Sequence, residues 1–215
     1  MNMLIDLLPE YVELGGAEYP INTDFRTSIL FELMMEDEAV PDDKKVIQAV
    51  KLYYPELPPA PLLGEAVNAL LWFYRAGKEE KTAKPKVSAN SDEESDNNAD
   101  DAFDGMEKRI YSFEHDDDYI YSAFLSQYRI DLQDIDYLHW WKFRAMFRAL
   151  DEDCQFCKIM GYRSIKINNK MTKEQKAFYR HMKAVHALPV PQEELERTEA
   201  ITQALLNGGD LTGLL

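Results

Sequence analysis

The run DIDYLHWWKFRAMFRAL, residues 134–150, constrains the fold of this chain more than any other stretch. Its large apolar side chains recur at the spacing of one helix face, and they are Trp140, Phe143, Phe147 and Leu150. Three further residues widen this apolar stripe: Leu138, Trp141 and Ala145. We therefore expect a core helix that directs the stripe inward and carries its basic side chains on the remaining surface, namely Lys142, Arg144 and Arg148.

Charge is distributed unevenly along the chain. The 215 residues carry a formal net charge of −15, and residues 88–104 contribute seven acidic side chains without a basic one. The apolar fraction of 46% is ordinary for a globular protein, so a core of one large or two small domains can form. Nucleic-acid phosphates and anionic lipid head groups repel an acidic chain, so we expect neither nucleic acid nor a membrane as a partner.

Three features of the sequence bear on its cellular location. Two cysteines, Cys154 and Cys157, are too few for a disulfide framework and suit a reducing cytoplasm. The N-terminus MNMLIDLLPEYVE lacks the basic flank and the long apolar stretch of a signal peptide. The longest apolar run, residues 69–74, is far shorter than the roughly 18 residues that span a bilayer. These features predict a soluble intracellular protein.

The first 77 residues predict a β-hairpin followed by helices. Tyr11–Leu14 and Ala17–Ile21 flank Gly15-Gly16, a pair that supplies the positive φ angles of a tight turn. The hairpin either packs on its own domain or offers its edge as an assembly surface. Three helices follow, and the first begins after Thr23 or Asp24. The second begins at Pro41, and its apolar stripe consists of Val46, Ile47, Val50 and Tyr53. The third runs from Leu62 to Ala76 and ends at Gly77.

Residues 78–105 differ sharply from the segments on either side. They contain the acidic run and almost no side chain that could be buried, so they predict a disordered linker. An acidic docking strip for a basic partner is the alternative. Residues 106–188 then predict a second helical half, and residues 189–215 a weakly ordered tail with a weak helix over 192–206. The predicted fold is mainly α, with a short N-terminal hairpin and two helical halves joined by the linker.

The second half opens with a helix predicted over Glu114–Arg129. Asp116, Asp117 and Asp118 lie in its first turn, where the helix dipole favours negative charge. The same acids after His115 could suggest a divalent metal site, but a hard-cation loop needs a glycine turn that this stretch lacks. The tryptophan helix follows, and after it we expect a helix over Glu152–Met160 that ends at Gly161. Tyr162–Ile167 predicts a strand or an extended arm. The last helix of this half is predicted over Lys173–Ala187, where Thr172 and Gln175 form a capping box.

The sharpest candidate for metal chemistry combines Cys154 and Cys157 with His181 and His186. These are zinc-ligating residue types, but 23 residues separate the pairs, whereas zinc fingers use roughly 12–15. The two histidines also lie about 140° apart around a helix. Buried free thiols explain the cysteines better, and a redox pair lacks the surrounding βαβ pattern. We therefore expect no metal ligand and no cofactor.

The best candidate for contacting a partner is a basic cluster made of Lys142, Arg144, Arg148, Lys158, Arg163, Lys166 and Lys170. Interleaved aromatics could stack on single-stranded nucleic acid, but residues 105–188 carry little net positive charge and the aromatics recur at core spacing. A protein-binding face is the better functional interpretation, and a solvated helix face is the alternative. The expected partner-binding residues are Trp141, Lys142, Arg144 and Arg148. The chain lacks a Gly-rich phosphate loop, GxSxG and HExxH, so we expect no enzyme and name no catalytic residue.

Two stretches resemble a known family. YSFEHDDDYIYSAFLSQYRIDLQDIDYLHWWKFRAMFRAL and DCQFCKIMGYRSI are similar to the phage and prophage family known as bacteriophage gp fifteen, as is the hairpin with DFRTSILFELMMED. HWWKFRA at His139–Ala145 and IMGYRSI at Ile159–Ile165 are the most specific parts. The similarity spans roughly Leu7 to Leu188 and leaves out the C-terminal tail.

The resemblance implies a role in building phage tails. Genes of this family lie in the tail modules of long-tailed phages (siphophages), between those for the major tail protein and the tape measure protein, a position typical of tail assembly chaperones. It implies a non-enzymatic chaperone-like protein of the bacterial host cytoplasm that binds the tape measure or tail-tube protein and could form a homo-oligomer. The alternatives are a tail or connector component retained in the virion, and a metal- or nucleic-acid-binding protein. The family has no agreed catalytic residues to carry over.

Overall fold

The computed structural model of the chain describes residues 2–78 and 109–189. The chain divides into two compact units, Met1–Ile165 and Lys166–Leu215, and each is described by itself. The predicted linker beyond residue 78 and the predicted helix over 192–206 lie outside the described residues. No helix of the described ranges is long and apolar enough to cross a membrane.

The first unit is mainly helical, as the sequence predicts. A two-stranded antiparallel hairpin, β1 Tyr11–Leu14 and β2 Ala17–Pro20, precedes the helices. After it come α1 Phe25–Glu36, α2 Asp42–Tyr53, a 3-10 turn Ala60–Leu62, α3 Leu63–Tyr74, α4 Asp117–Tyr128, α5 Trp140–Arg148 and α6 Gln155–Ser164. The second unit contributes α7 Lys173–Val185.

The hairpin packs on its own unit through one face. Val12 and Leu14 are buried while Tyr11 and Glu13 are exposed, so β1 alternates as a half-buried strand does. β1 lies against α3, and the Gly15 N–H donates to the Glu65 carboxylate of α3 at 2.8 Å. Of the two arrangements predicted for the hairpin, the structure therefore shows packing for its inner face.

Helix α2 departs from its predicted apolar stripe. Of the four residues in the predicted stripe, Val50 and Tyr53 are buried, whereas Val46 and Ile47 are 50% and 55% exposed. Lys45 is buried in their place, and its Nζ donates to the Met35 carbonyl at 2.8 Å at the end of α1. The aliphatic stem of Lys45 covers apolar surface, and its ammonium group caps the C-terminal end of α1. Because Lys45 occupies the inner face of α2, Val46 and Ile47 lie on the outer face.

Helix α5 is shorter than the apolar run that predicts it. Residues 134–138 are not helical, and the helix begins at Trp140 after His139. The predicted inward stripe is confirmed, since all four of its residues are buried: Trp140, Phe143, Phe147 and Leu150. Leu138 and Trp141 are buried too, whereas Ala145 is exposed, contrary to its predicted place in the stripe.

The ring of Phe143 lies at the centre of the core. It stacks between Phe25 of α1 and Phe124 of α4, with ring centroids 4.9 Å away on each side. Each such aromatic pair adds about 0.5–1.5 kcal/mol beyond the burial of apolar area. Side chains from both predicted halves, within residues 12–73 and 111–156, thus share one hydrophobic cluster.

Helix α6 continues past its predicted end. It runs through Gly161 to Ser164, so the strand or extended arm predicted from Tyr162 is wrong for residues 162–164. Phe156 and Ile159 anchor one face of the helix in the core. Arg163 is held by a buried ion pair with Asp116, and this contact fixes the last helical turn.

The second unit is described from Lys166 to Pro189. The predicted capping box is confirmed, because Thr172 accepts from the Gln175 N–H and Gln175 accepts from the Thr172 N–H. None of the side chains of α7 is buried.

Candidate functional site

The most specific family motif, HWWKFRA, begins at a joint between two helices. Asp24 and His139 face each other in an antiparallel β-bridge just before α1 and α5. The Phe25 N–H donates to the Leu138 carbonyl at 2.9 Å, and the Trp140 N–H donates to the Thr23 carbonyl at 2.7 Å. The first turns of two helices from the two halves of the chain are thereby held together by backbone hydrogen bonds.

The side chains at this joint cap both helices. Asp24 accepts from the Arg26 N–H at 3.0 Å, and its other oxygen accepts from the Leu138 N–H at 3.2 Å. His139 accepts from the Trp141 N–H through Nδ1 at 3.0 Å, so its proton resides on Nε2, which lies 3.2 Å from the Pro9 carbonyl. Burial lowers the pKa of His139, which keeps the imidazole neutral and able to accept.

The two tryptophans of the motif hold the end of α3. The indole N–H of Trp140 donates to the Tyr74 carbonyl at 2.8 Å, and that of Trp141 donates to the Phe73 carbonyl at 2.7 Å. Both indoles are buried. Carbonyls in the last turn of a helix lack an intrahelical partner, so the pair supplies C-terminal capping from a distant element. The HWW part of the motif is therefore explained by packing and capping.

The predicted partner-binding set divides between core and surface. Trp141 and Arg144 are only 2% and 4% exposed, so neither presents a contact surface in this conformation. The Arg144 guanidinium points inward, with Nη1 3.4 Å from the Tyr74 carbonyl. Lys142 is exposed and Arg148 partly exposed, which leaves these two of the four side chains accessible on α5.

A buried ion pair that the sequence does not reveal joins the start of α4 to the last turn of α6. The carboxylate of Asp116 accepts two hydrogen bonds from the Arg163 guanidinium, at 2.6 and 2.9 Å. Arg163 also donates to the Ile110 carbonyl at 3.1 Å, and Asp116 accepts from the Ser112 N–H at 2.9 Å. Asp116 is thus a buried structural anion, whereas Asp117 and Asp118 occupy the first turn of α4 as predicted.

A second carboxylate cluster ties residue 109 and its successors to α1. Glu32 accepts from the Tyr74 hydroxyl at 2.6 Å, and Glu36 forms an ion pair with Arg109. Burial raises the pKa of Glu32, while hydrogen bonds from the hydroxyls of Tyr74 and Tyr111 act in the opposite direction. All these groups belong to the packing between α1, α3 and the segment after residue 109.

Comparison with known families identifies the family of the chain. A family model described as Bacteriophage Gp15 protein matches residues 4–188. The chain belongs to this family. The match confirms the resemblance indicated by the motifs, and it covers nearly all the residues that the structure describes. No curated protein and no solved structure matches the chain.

Membership in the Bacteriophage Gp15 family makes the chain a phage protein and favours a structural or assembly role. The matched range includes the joint, both tryptophans and the Asp116–Arg163 pair, and it excludes the tail after residue 188. These residues therefore lie within the range that the family model matches, and their observed contacts are those of core packing and helix capping.

The cysteine and histidine pairs lie in different units. Cys154 caps α6, with its Sγ 3.4 Å from the Cys157 amide nitrogen, and the Cys157 thiol lies 3.8 Å from the Leu150 carbonyl. Burial raises the pKa of Cys157 to about 12, so it is a thiol at neutral pH. His181 and His186 belong to the second unit. Across residues 2–78 and 109–189, no group of three or more His, Cys, Asp or Glu side chains could hold a metal ion.

Exposed apolar side chains on α1 and α2 form the surface that the sequence does not predict. Three large residues where these two helices adjoin are about half exposed: Met35 46%, Val46 50% and Ile47 55%. We call these three the helix-pair surface. The ammonium group of Lys45 donates a hydrogen bond to the Met35 carbonyl, so the start of α2 adjoins the end of α1. Helical spacing alone assigns Val46 and Ile47 to the core, and only the position of α1 shows otherwise.

Proposed function

We propose that the chain is a non-enzymatic tail assembly protein that binds apolar helical segments of the tape measure or tail-tube protein. The family supports an assembly role, and the tail-module position implied by the family resemblance supports a chaperone-like one. A chaperone of this kind covers apolar surface until tail-tube subunits polymerise. We also propose that the chain binds these partners in the cytoplasm of the bacterial host.

The observation that carries the proposal is the helix-pair surface. Monomeric soluble proteins rarely expose large contiguous apolar patches, and patches of that kind mark surfaces that meet a partner or ligand. Methionine and aliphatic side chains suit the reversible binding of varied apolar helices, because methionine adapts its shape and no specific polar pairing is needed. On α5, Lys142 and Arg148 could add electrostatic attraction for acidic residues of the same partner.

Deleting the gene from the phage tests this role. We expect particles that stop at filled heads without tails, and complementation by the wild-type gene should restore them. Mass spectrometry of purified wild-type virions should find the chain absent or in traces. Normal tails from the deletion phage would contradict a role in tail assembly. A stoichiometric amount in virions would instead assign the chain to the structural components.

A further inference from the structure

The N-terminal segment carries a second exposed surface of distinct chemistry. Five large side chains before and within β1 are exposed: Met3 43%, Leu4 92%, Ile5 80%, Leu7 94% and Tyr11 54%. The first 25 residues contain five carboxylates and no lysine or arginine. We call the five exposed side chains, with Glu10, Glu13 and Glu18, the N-terminal surface.

The base of this surface is fixed to the fold. Leu8 packs on the core, and the Pro9 carbonyl bonds to His139. Val12 and Leu14 face inward, which directs Tyr11 and Glu13 outward. The surface therefore has a defined place beside the hairpin.

The hairpin also holds two like charges in an unfavourable position. Glu13 of β1 lies directly opposite Glu18 of β2 in the ladder, and both are exposed. Like charges directly opposite each other destabilise an antiparallel pair of strands. A cationic partner lying across the outer face would turn this repulsion into attraction. The surface thus fits a segment that is apolar on one side and basic on the other.

Helix α7 of this same chain has that pattern. Its basic residues recur every three or four positions along one face: Lys173, Lys176, Arg180 and Lys183. Its larger apolar residues follow the same spacing on the opposite face, where Phe178 and Val185 are 50% and 58% exposed and Met182 lies between them. Glu174 is its only acidic residue.

We propose that the N-terminal surface of one copy binds α7 of a second copy. The exposed leucines and isoleucine would cover the apolar face of α7, and the glutamates would meet its basic residues. Two different patches meet, so a bound pair of copies keeps one unused N-terminal surface and one unused α7, and the contact extends into a ring or an open row of copies. Such a row would suit a long partner, but the contact itself requires no other protein.

Charge reversal and mixing test this contact on the purified full-length chain. Sedimentation velocity across a concentration series should show reversible association of the wild type. Glu10→Lys/Glu13→Lys and Lys173→Glu/Arg180→Glu should each weaken self-association at least about tenfold, or roughly 1.4 kcal/mol. A mixture of the two variants should associate again, because one variant supplies an unaltered N-terminal surface and the other supplies an unaltered α7.

A matched control changes the same charge elsewhere in the second unit. Lys166 and Lys170 are exposed and lie outside α7, so Lys166→Glu/Lys170→Glu should associate as the wild type does. A wild type that stays monomeric at every concentration would overturn the proposal. Self-association that both variants leave unchanged would also overturn the proposal. A change in hydrodynamic radius that does not depend on concentration would overturn it too, because it would mean that α7 binds within its own chain. No tail protein is present, so the result is separate from the test of the proposed function.

Discussion

Asp24 and His139 cap the first turns of α1 and α5 while their backbones form an antiparallel bridge. One pair of residues therefore satisfies helix N–H groups on both sides of the joint and fixes the distance between the two helices. α1 and α5 come from the two halves of the chain, so the joint links their folding. Loss of a contact between these halves should therefore lower the stability of the whole first unit.

Stability should fall in acid because of His139. Its folded-state pKa lies below the ordinary value of 6.5, so below that pH the unfolded chain binds more protons than the folded one. Protonation of Nδ1 also removes the acceptor of the N-cap bond, which is worth about 1 kcal/mol. His139→Asn keeps a capping oxygen that does not titrate. In urea unfolding between about pH 7.5 and about pH 5, the wild type should lose stability relative to this variant. Parallel pH profiles for the two proteins would contradict the assignment.

Breaking the buried ion pair should cost more than breaking an exposed one. Arg163→Met leaves the carboxylate of Asp116 buried without its cation, and we expect a loss of about 3–5 kcal/mol in the free energy of unfolding. The double variant Asp116→Leu/Arg163→Met should lose less than that, because no buried charge remains. Lys158→Met, which removes an exposed partner of Asp153, should change stability by less than about 1 kcal/mol. Equal losses for the exposed and buried pairs would refute this account.

Gly77 should tolerate alanine poorly. Its φ is +71°, and a Cβ at this position would lie 2.9 Å from Cη2 of the buried Trp141 ring. Gly77→Ala should therefore add a clash to the backbone strain, for a total loss of about 3 kcal/mol. Gly16→Ala is the matched control, since Gly16 has a φ of +80° but a Cβ there would meet no described atom within 4 Å. It should lose only about 1–2 kcal/mol in the same thermal or urea unfolding measurement.

Neighbouring basic residues of α5 should respond differently to charge reversal. Arg144→Glu places a carboxylate in the core and should destabilise the fold by about 4 kcal/mol or more. Lys142→Glu and Arg148→Glu alter accessible side chains and should stay within about 0.5–1 kcal/mol of the wild type. Near-ultraviolet circular dichroism of the tryptophans distinguishes these outcomes. Loss of tail assembly with Lys142→Glu/Arg148→Glu, at full stability, would assign partner binding to α5.

Elements that depend on a few adjacent residues could be predicted from the sequence. Gly15-Gly16 encodes the hairpin turn through its positive φ angles, and Thr172 with Gln175 encodes the start of α7 through two reciprocal hydrogen bonds. The α5 stripe is equally local, since the spacing of large apolar side chains decides which face is buried. In each case the physical cause lies in residues close together along the chain.

Features that depend on distant residues could not be predicted. Asp116 lies 47 residues from Arg163, and nothing in the three consecutive aspartates distinguishes the one that is buried. Arg144 resembles a surface residue by type, yet α5 is covered on more than one side and the guanidinium points inward. Val46 and Ile47 follow the spacing of an apolar helix face. They are nevertheless exposed, because Lys45 occupies the inner face of α2 and bonds to the end of α1. The helix-pair surface follows from packing alone.

Coexpression with the tape measure protein of the same phage tests the central claim most directly. The measurement is the fraction of tape measure protein that stays soluble after centrifugation. It is made with the wild type, with Val46→Gln/Ile47→Gln and with Leu57→Gln. The last variant is the control, because it removes an exposed apolar side chain elsewhere. We predict that the wild type and the control keep the tape measure protein soluble, and that the helix-pair variant fails to do so although it folds normally. An unchanged soluble fraction with and without the wild-type chain would contradict the account.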